Sequence, residues 1–291
     1  SNSDVKPQHK TNFKVSFGFY RNPTAGESWG AFIRGEGAHD GGRYLRLNSD
    51  SGEAGNSSFT PMNHEGFIEN ESNSQNDLAI AWKESSGFRR YIYSGTSSFA
   101  NHDHSMGGTP EMMWVKAMSF SRDWTVYHKD MWRGNSSGLN NSHNWYIKLN
   151  SGAGRVSANN QWSGANPNSQ DFTVGNSDDT NKSGHAYLCL MFRSVTGISK
   201  VSYYTGNGST SGPSVSLGFA PRFIMIKRAD GNGDWRVLTS ARGFDKSLLF
   251  NGTSSESTTN YLTTDTTSFT LTSSATDVNA SSGDYIYYAH A

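Results

Sequence analysis

The feature that most constrains this chain is that it repeats itself. Adding 111 to the positions of Gly107, Pro110, Met113, Val115, Lys116, Asp123, Trp124 and Val126 lands on Gly218, Pro221, Ile224, Ile226, Lys227, Asp234, Trp235 and Val237. The matches are identities or close apolar exchanges, with no gap. A second block, offset by 110, sets Leu78-Ala79-Ile80-Ala81-Trp82-Lys83 against Leu188-Cys189-Leu190-Met191-Phe192-Arg193, and Gly87 against Gly197. A third sets Tyr44-Leu45-Arg46-Leu47-Asn48-Ser49 against Tyr146-Ile147-Lys148-Leu149-Asn150-Ser151, with Leu248-Leu249-Phe250-Asn251 as a weaker echo. Repetition at a fixed period means one supersecondary unit used several times. The units fall at 1–88, 89–198 and 199–291, the first being the most divergent. Phe17 to Trp29 spans the same 12 residues as Phe223 to Trp235, and Arg21 is read as the counterpart of Arg228.

Each unit reads as strands. In the third copy an aromatic run, Tyr203-Tyr204-Thr205, meets a Gly turn at Gly206-Asn207-Gly208. A Gly-x-x-Pro turn leads into Phe223-Ile224-Met225-Ile226. A polar turn then separates that run from Trp235-Arg236-Val237-Leu238, a hairpin pattern. Shorter strands follow near Leu248–Phe250, Phe269–Thr272 and Tyr285–Ala289. Alternation with period two marks Phe269/Leu271 and Trp235/Val237, and helical periodicity is nearly absent. The expected fold is all-β, tandem antiparallel β-sandwich or jelly-roll modules. Trp124, Trp235, Pro110, Pro221, Gly107 and Gly218 are expected to be its structural core. Gly95, Gly107, Gly206 and Gly218 suit turns that need a positive φ or a close backbone approach.

The rest of the composition excludes several functions. The chain carries 25 basic and 25 acidic residues, so no excess positive field favours nucleic acid. No apolar run is long enough to insert in a membrane. Disorder is unlike a chain with 13% aromatic residues and 8 Trp. The single cysteine, Cys189, can form no internal disulfide and reads as a small core residue. The sequence opens on Ser1 without a signal segment, as a processed or partial piece would.

Catalytic chemistry has little to stand on, and no catalytic residue or cofactor is expected. His102-Asp103-His104 is the sharpest metal candidate, through His102 and His104 on one strand face, but the stretch from Phe99 to Gly107 reads as a polar loop. His128 and Asp130 could form an acid–base pair, yet the matching Thr239 and Ala241 are inert. Lys116 and Lys227 read as strand-end charges. Glu53 and Glu256 each follow an Asn by five residues, where the second copy has Arg155, and no second carboxylate recurs beside them as a glycosidase needs. Ser177-Asp178-Asp179-Thr180-Asn181 could take Ca²⁺ but lacks a dedicated spacing. Trp132, Trp145 and Trp162 lie outside the repeated Trp positions in a Gly/Asn-rich region. Aromatic planes of this kind suit sugar stacking, so these three are the glycan-binding candidates.

Two strings carry a resemblance. One runs Tyr204-Thr205-Gly206-Asn207-Gly208-Ser209, Leu217-Gly218-Phe219-Ala220-Pro221, Ile224-Met225-Ile226-Lys227-Arg228 and Asp234-Trp235-Arg236-Val237. The other runs Thr109-Pro110-Glu111-Met112-Met113-Trp114-Val115-Lys116 and Asp123-Trp124-Thr125-Val126-Tyr127-His128-Lys129. They resemble a module repeated in structural proteins of marine tailed phages, strongly over residues 90–291 and weakly before 40. The resemblance implies a concanavalin-like sandwich and a tail-fibre or capsid-surface component of the virion, located in the extracellular particle and involved in host attachment. It assigns no catalytic residues. The partners then expected are other virion proteins, further copies of the chain (a homotrimer above all) and a host surface glycan. A lectin acting as adhesin is the alternative, and a polysaccharide depolymerase ranks below both.

Overall fold

The computed structural model describes residues 9–32, 43–55, 60–62, 66–68, 77–133 and 141–291. The chain is all-β, and every strand pairing is antiparallel. Three large sheets share one strand order. The first runs Ala54–Gly55, Arg43–Arg46, Gly30–Phe32, Phe17–Arg21, Leu78–Trp82. The second runs Val156–Ser157, Trp145–Lys148, Thr125–His128, Met112–Ala117, Ala186–Phe192, Phe88–Ser94. The third runs Ser257–Thr258, Lys246–Leu249, Arg236–Thr239, Phe223–Arg228, Asp284–His290, Ser199–Thr205. Smaller sheets accompany them, among them Ala100–Asp103 with Asp171–Val174, and Ser214–Ser216 with Ser268–Leu271 and Leu262–Thr264.

Period-two alternation sends successive side chains to opposite faces, and here both faces are apolar. Met112 and Trp114, Leu188 and Leu190, Phe223 and Met225, and Phe17 and Phe19 all face one core common to the three sheets. The intervening residues face outward. Met113, Val115 and Cys189 meet Phe172 and Val174 of the second copy's small sheet. Ile224, Ile226 and Tyr287 meet Phe269 and Leu271 of the third copy's. The second and third large sheets are therefore each one wall of a sandwich and one side of a central core. Cys189 is buried in the outer layer, where desolvation pushes its thiol well up, as a small core residue.

The copies do not extend as a string. They close into a ring, and the same bonds recur at each junction. The indole Nε1 of Trp124 donates to the Arg46 carbonyl of the first copy at 2.9 Å. Trp235 donates to Lys148 of the second at 2.8 Å, and Trp29 to Leu249 of the third at 2.6 Å. In each case the acceptor lies two residues before the repeated Asn. That Asn accepts its own copy's Trp amide through Oδ1: Asn48 from Trp29, Asn150 from Trp124 and Asn251 from Trp235, at 2.9–3.0 Å. Its Nδ2 donates to the residue before the Trp, Asp123 or Asp234, and to Ser28 in the divergent copy. The backbone N–H five residues past each Asn also crosses a junction, from Glu53 to Met118, Arg155 to Ala229, and Glu256 to Pro23.

A third set of crossings corrects two sequence expectations. Lys116 and Lys227 are not strand-end charges but fully buried. Lys116 Nζ donates to the carbonyls of Asp50 and Arg122, and Lys227 Nζ to those of Gly152 and Arg228. Arg21 takes the same role toward Gly252, Thr253 and Ser254. The residue matching Arg21 is thus Lys227, not Arg228, since both stand four residues into strands that begin at Phe17 and Phe223. Burial pulls both lysines down to about 8 from 10.5. Their desolvation opposes folding below pH 8 and is relieved as pH rises toward 10.5.

Other features follow local rules. Gly107 and Gly218 are exposed turn residues with φ of +75° and +85°, so they hold the backbone without being part of the packed core. At Gly95 and Gly206 a Cβ would collide with the Lys182 and Ala280 carbonyls, so close approach is the reason there. Pro110 and Pro221 are buried. The loop considered for Ca²⁺ is a short helix, Asp178–Asn181, capped by Ser177, and its two Asp carboxylates pair with Arg122. A matching turn, Thr276–Asn279, stands in the third copy. Tyr93 and Tyr204 donate their hydroxyls to the carbonyls of Thr180 and Val278 in these helices.

The ring makes the three tryptophans equivalent in role. Trp29→Phe, Trp124→Phe and Trp235→Phe each deprive a part-buried carbonyl of its indole donor and are expected to cost about 1–3 kcal/mol. Urea unfolding reads this. A loss below about 0.5 kcal/mol, the range of an ordinary surface change, would show that the indole bond does not hold that junction.

Candidate functional site

The second copy departs from its siblings on the surface, and the departure is a site. The bond from the Trp amide to the Asn spans 16 residues in the third copy, 19 in the first and 26 in the second. The longer excursion holds Trp132 and Arg133. Trp132 is fixed by its amide donating to Ser142 Oγ at 3.3 Å, with Ser142 Oγ in turn donating to the Lys129 carbonyl. The indole of Trp132 lies flat on that of Trp145, with centroids 4.7 Å apart and planes 6° from parallel. Both are half-buried. The Arg155 guanidinium sits 5.1 Å from the Trp132 ring and 5.5 Å from the Trp145 ring.

Trp145 and Arg155 occupy positions that the other copies use for an ion pair. Arg43, Trp145 and Lys246 each open the third strand from the sheet's middle, in matching register with the short edge strand. Arg43 pairs with Glu53 at 3.3 Å, and Lys246 with Glu256 at 3.7 Å, where Arg242 also grips the carboxylate. In the second copy the cation has become an indole and the carboxylate an arginine. Arg155 turns instead to Asp284 of the third copy, at 3.1 Å, and Arg133 holds the other oxygen of the same carboxylate. Arg133 also lies 3.9 Å over the ring of Tyr203, which is 43% exposed. The result is a surface of two stacked indoles, two arginines, one shared carboxylate and a tyrosine across the junction of copies two and three.

The remaining sequence candidates fall elsewhere. Trp162 is 0% exposed, edge-on to Tyr127, with Nε1 donating to the Trp145 carbonyl. It is a core residue that supports Trp145 from behind and cannot meet a sugar. His102 and His104 do not form a metal centre. The segment read as a polar loop contains the strand Ala100–Asp103, paired to Asp171–Val174. His102 packs among Tyr91, Tyr93 and Phe172, with Tyr93 at 4.3 Å, and burial lowers its pKa. His104 is fully buried. Its Nδ1 accepts from the Met106 amide and its Nε2 contacts the Asn168 carbonyl, so both ring nitrogens are engaged. Among the described residues no group of three or more His, Cys, Asp or Glu is placed to hold a metal.

His128 and Asp130 are not an acid–base pair either. His128 Nδ1 accepts the Asp130 amide, and its Nε2 faces the Tyr287 carbonyl of the third copy at 3.5 Å. Complete burial lowers His128 from 6.5 to about 3, while burial raises Asp130 to about 6. The crevice between copies one and three, lined by Leu78, Arg242, Lys246 and Glu256, is filled by its own ion pairs and has no room for a water molecule.

A neutral His128 contributes stability that is present above pH 6.5 and lost as pH falls toward 3. Asp130, protonated longer when folded, acts in the opposite direction below about 6. His128→Thr, the residue at the matching Thr239, is therefore expected to gain on the native chain by up to about 1.4 kcal/mol per pH unit as pH falls from 6.5. Denaturation midpoints across that range check it, and a constant difference would contradict it.

The model of one family, described as a domain of unknown function (DUF7483), matches residues 70–291. No curated protein and no solved structure matches the chain.

Proposed function

The chain belongs to the family of unknown function DUF7483, and on the geometry above we propose that it is a non-enzymatic structural and adhesive protein of a phage virion that binds host-surface glycan. The observation that carries this reading is the Trp132–Trp145–Arg155 surface, present in one copy where the other two keep an ion pair. A sugar ring presents a face of C–H bonds that suits the negative face of an indole, and arginine supplies donors for hydroxyl or carboxylate oxygens. The closed β-scaffold fixes the platform, so little ordering cost falls on binding. Insertions on such scaffolds are where recognition sits.

The virion assignment is supported by the resemblance of residues 90–291 to repeated modules of phage structural proteins. Binding to other virion proteins and a place in the extracellular particle follow from it. The ring satisfies the threefold repeat within one chain, so a homotrimer is a separate proposal and not a consequence of the repeat. The lectin reading shares the same platform. A depolymerase is disfavoured because Glu53 and Glu256 are engaged by arginine or lysine.

The test is tryptophan fluorescence and calorimetry of the purified chain against polysaccharide extracted from the host surface. Trp132→Ala, at a half-buried position, is expected to weaken binding at least tenfold with the fold intact by circular dichroism. Equal binding by native chain and variant, or no binding by the native chain, would contradict the proposal.

A further inference from the structure

Resting on that reading of the platform, we propose that its ligand is an acidic sugar, a uronate whose ring face lies on Trp132 and whose carboxylate is held by Arg133 and Arg155. In the first and third copies a carboxylate holds the cation at the paired position, Arg43 with Glu53 and Lys246 with Glu256, the latter gripped by Arg242 as well. In the second copy both members change, and the cation position carries the neutral Trp145. The carboxylate position carries Arg155, and the longer excursion adds Arg133. Beside these two cations stand Asp284, brought by the neighbouring copy, and the buried Asp130, which interacts with Arg133. Two guanidinium groups thus converge beside an aromatic plane.

The geometry of the arginines fits a carboxylate guest. Asp284 takes one terminal nitrogen of each guanidinium, Nη2 of Arg133 and Nη1 of Arg155. Each fork has further N–H groups, and arginine–carboxylate pairing uses two in parallel. Arg133 is held over Tyr203, and Arg155 beside the two indoles, so neither must be ordered anew on binding. Asp284 already shows how a carboxylate sits between them. A uronate would extend that pattern outward, with the pyranose lying on Trp132.

The experiment titrates the full chain with galacturonate, glucuronate and mannuronate oligomers and with the same oligomers fully methyl-esterified, which removes the charge and keeps the ring. An acidic oligomer is expected to bind at least tenfold more tightly than its ester at 0.15 M salt, with the preference shrinking as salt rises. Arg133→Gln is expected to abolish the preference for acid over ester. Asp284→Asn, which removes the competing carboxylate, is expected to raise acidic affinity several-fold, a gain that a merely structural role for Asp284 would not give. Equal binding of acid and ester would overturn the charge assignment and leave the glycan platform standing. Binding of neither would overturn both.

Discussion

The structure depends on an indole N–H reaching a backbone carbonyl in the next copy. Each large sheet turns an apolar face inward, and no copy can cover that face alone. Three of them close around one core in which Phe17, Phe19, Trp114, Phe192, Phe223 and Phe250 meet ring to ring. Burying a tryptophan removes about 150–250 Å² from water, several kcal/mol as an upper bound. Apolar burial has no direction, however. Direction comes from the polar crossings: Trp indole to carbonyl and Lys or Arg to carbonyl run one way round the ring, and amide to carbonyl runs the other. Left unmade, each would strand a buried group.

Once the scaffold is fixed by repetition, a departure from repetition carries information. The Arg43–Glu53 and Lys246–Glu256 pairs are what the unit has when nothing further is asked of it. Trp145 and Arg155 have lost that pairing together, and the extra residues around Trp132 supply the second indole. The cost of the change is offset locally by stacking, by the arginine beside both rings and by Asp284 across the junction. The site therefore belongs to the assembled ring, since its carboxylate and its tyrosine come from a different copy than its tryptophans.

Much of the fold was legible in the sequence. The offsets of 110 and 111 and the period-two runs foretell the strands, their all-β pairing and the buried Trp124 and Trp235. Closure was not legible, because the acceptors at Arg46, Lys148 and Leu249 are main-chain carbonyls that leave no mark on side-chain identity. For the same reason Lys116 and Lys227 looked like surface charges, although their ammonium groups end on carbonyls. Composition was the wrong guide to the site. A Gly/Asn-rich neighbourhood selected Trp132, Trp145 and Trp162 alike, and Trp162 is core. The better cue was the unequal spacing from Trp to Asn, which marks an insertion at Trp132, together with the exchange of a Glu position for Arg155. His102 and His104 were separated by what packs on each, which spacing alone does not encode.

Closure of the third copy onto the first is the claim from which the core, the junction bonds and the site all follow. Small-angle scattering of the purified 291-residue chain tests it most directly. A closed ring of this length has an expected radius of gyration of about 19 Å, whereas three separate units strung end to end would give about 29 Å. The smaller value is the one this account expects, and the larger would contradict it.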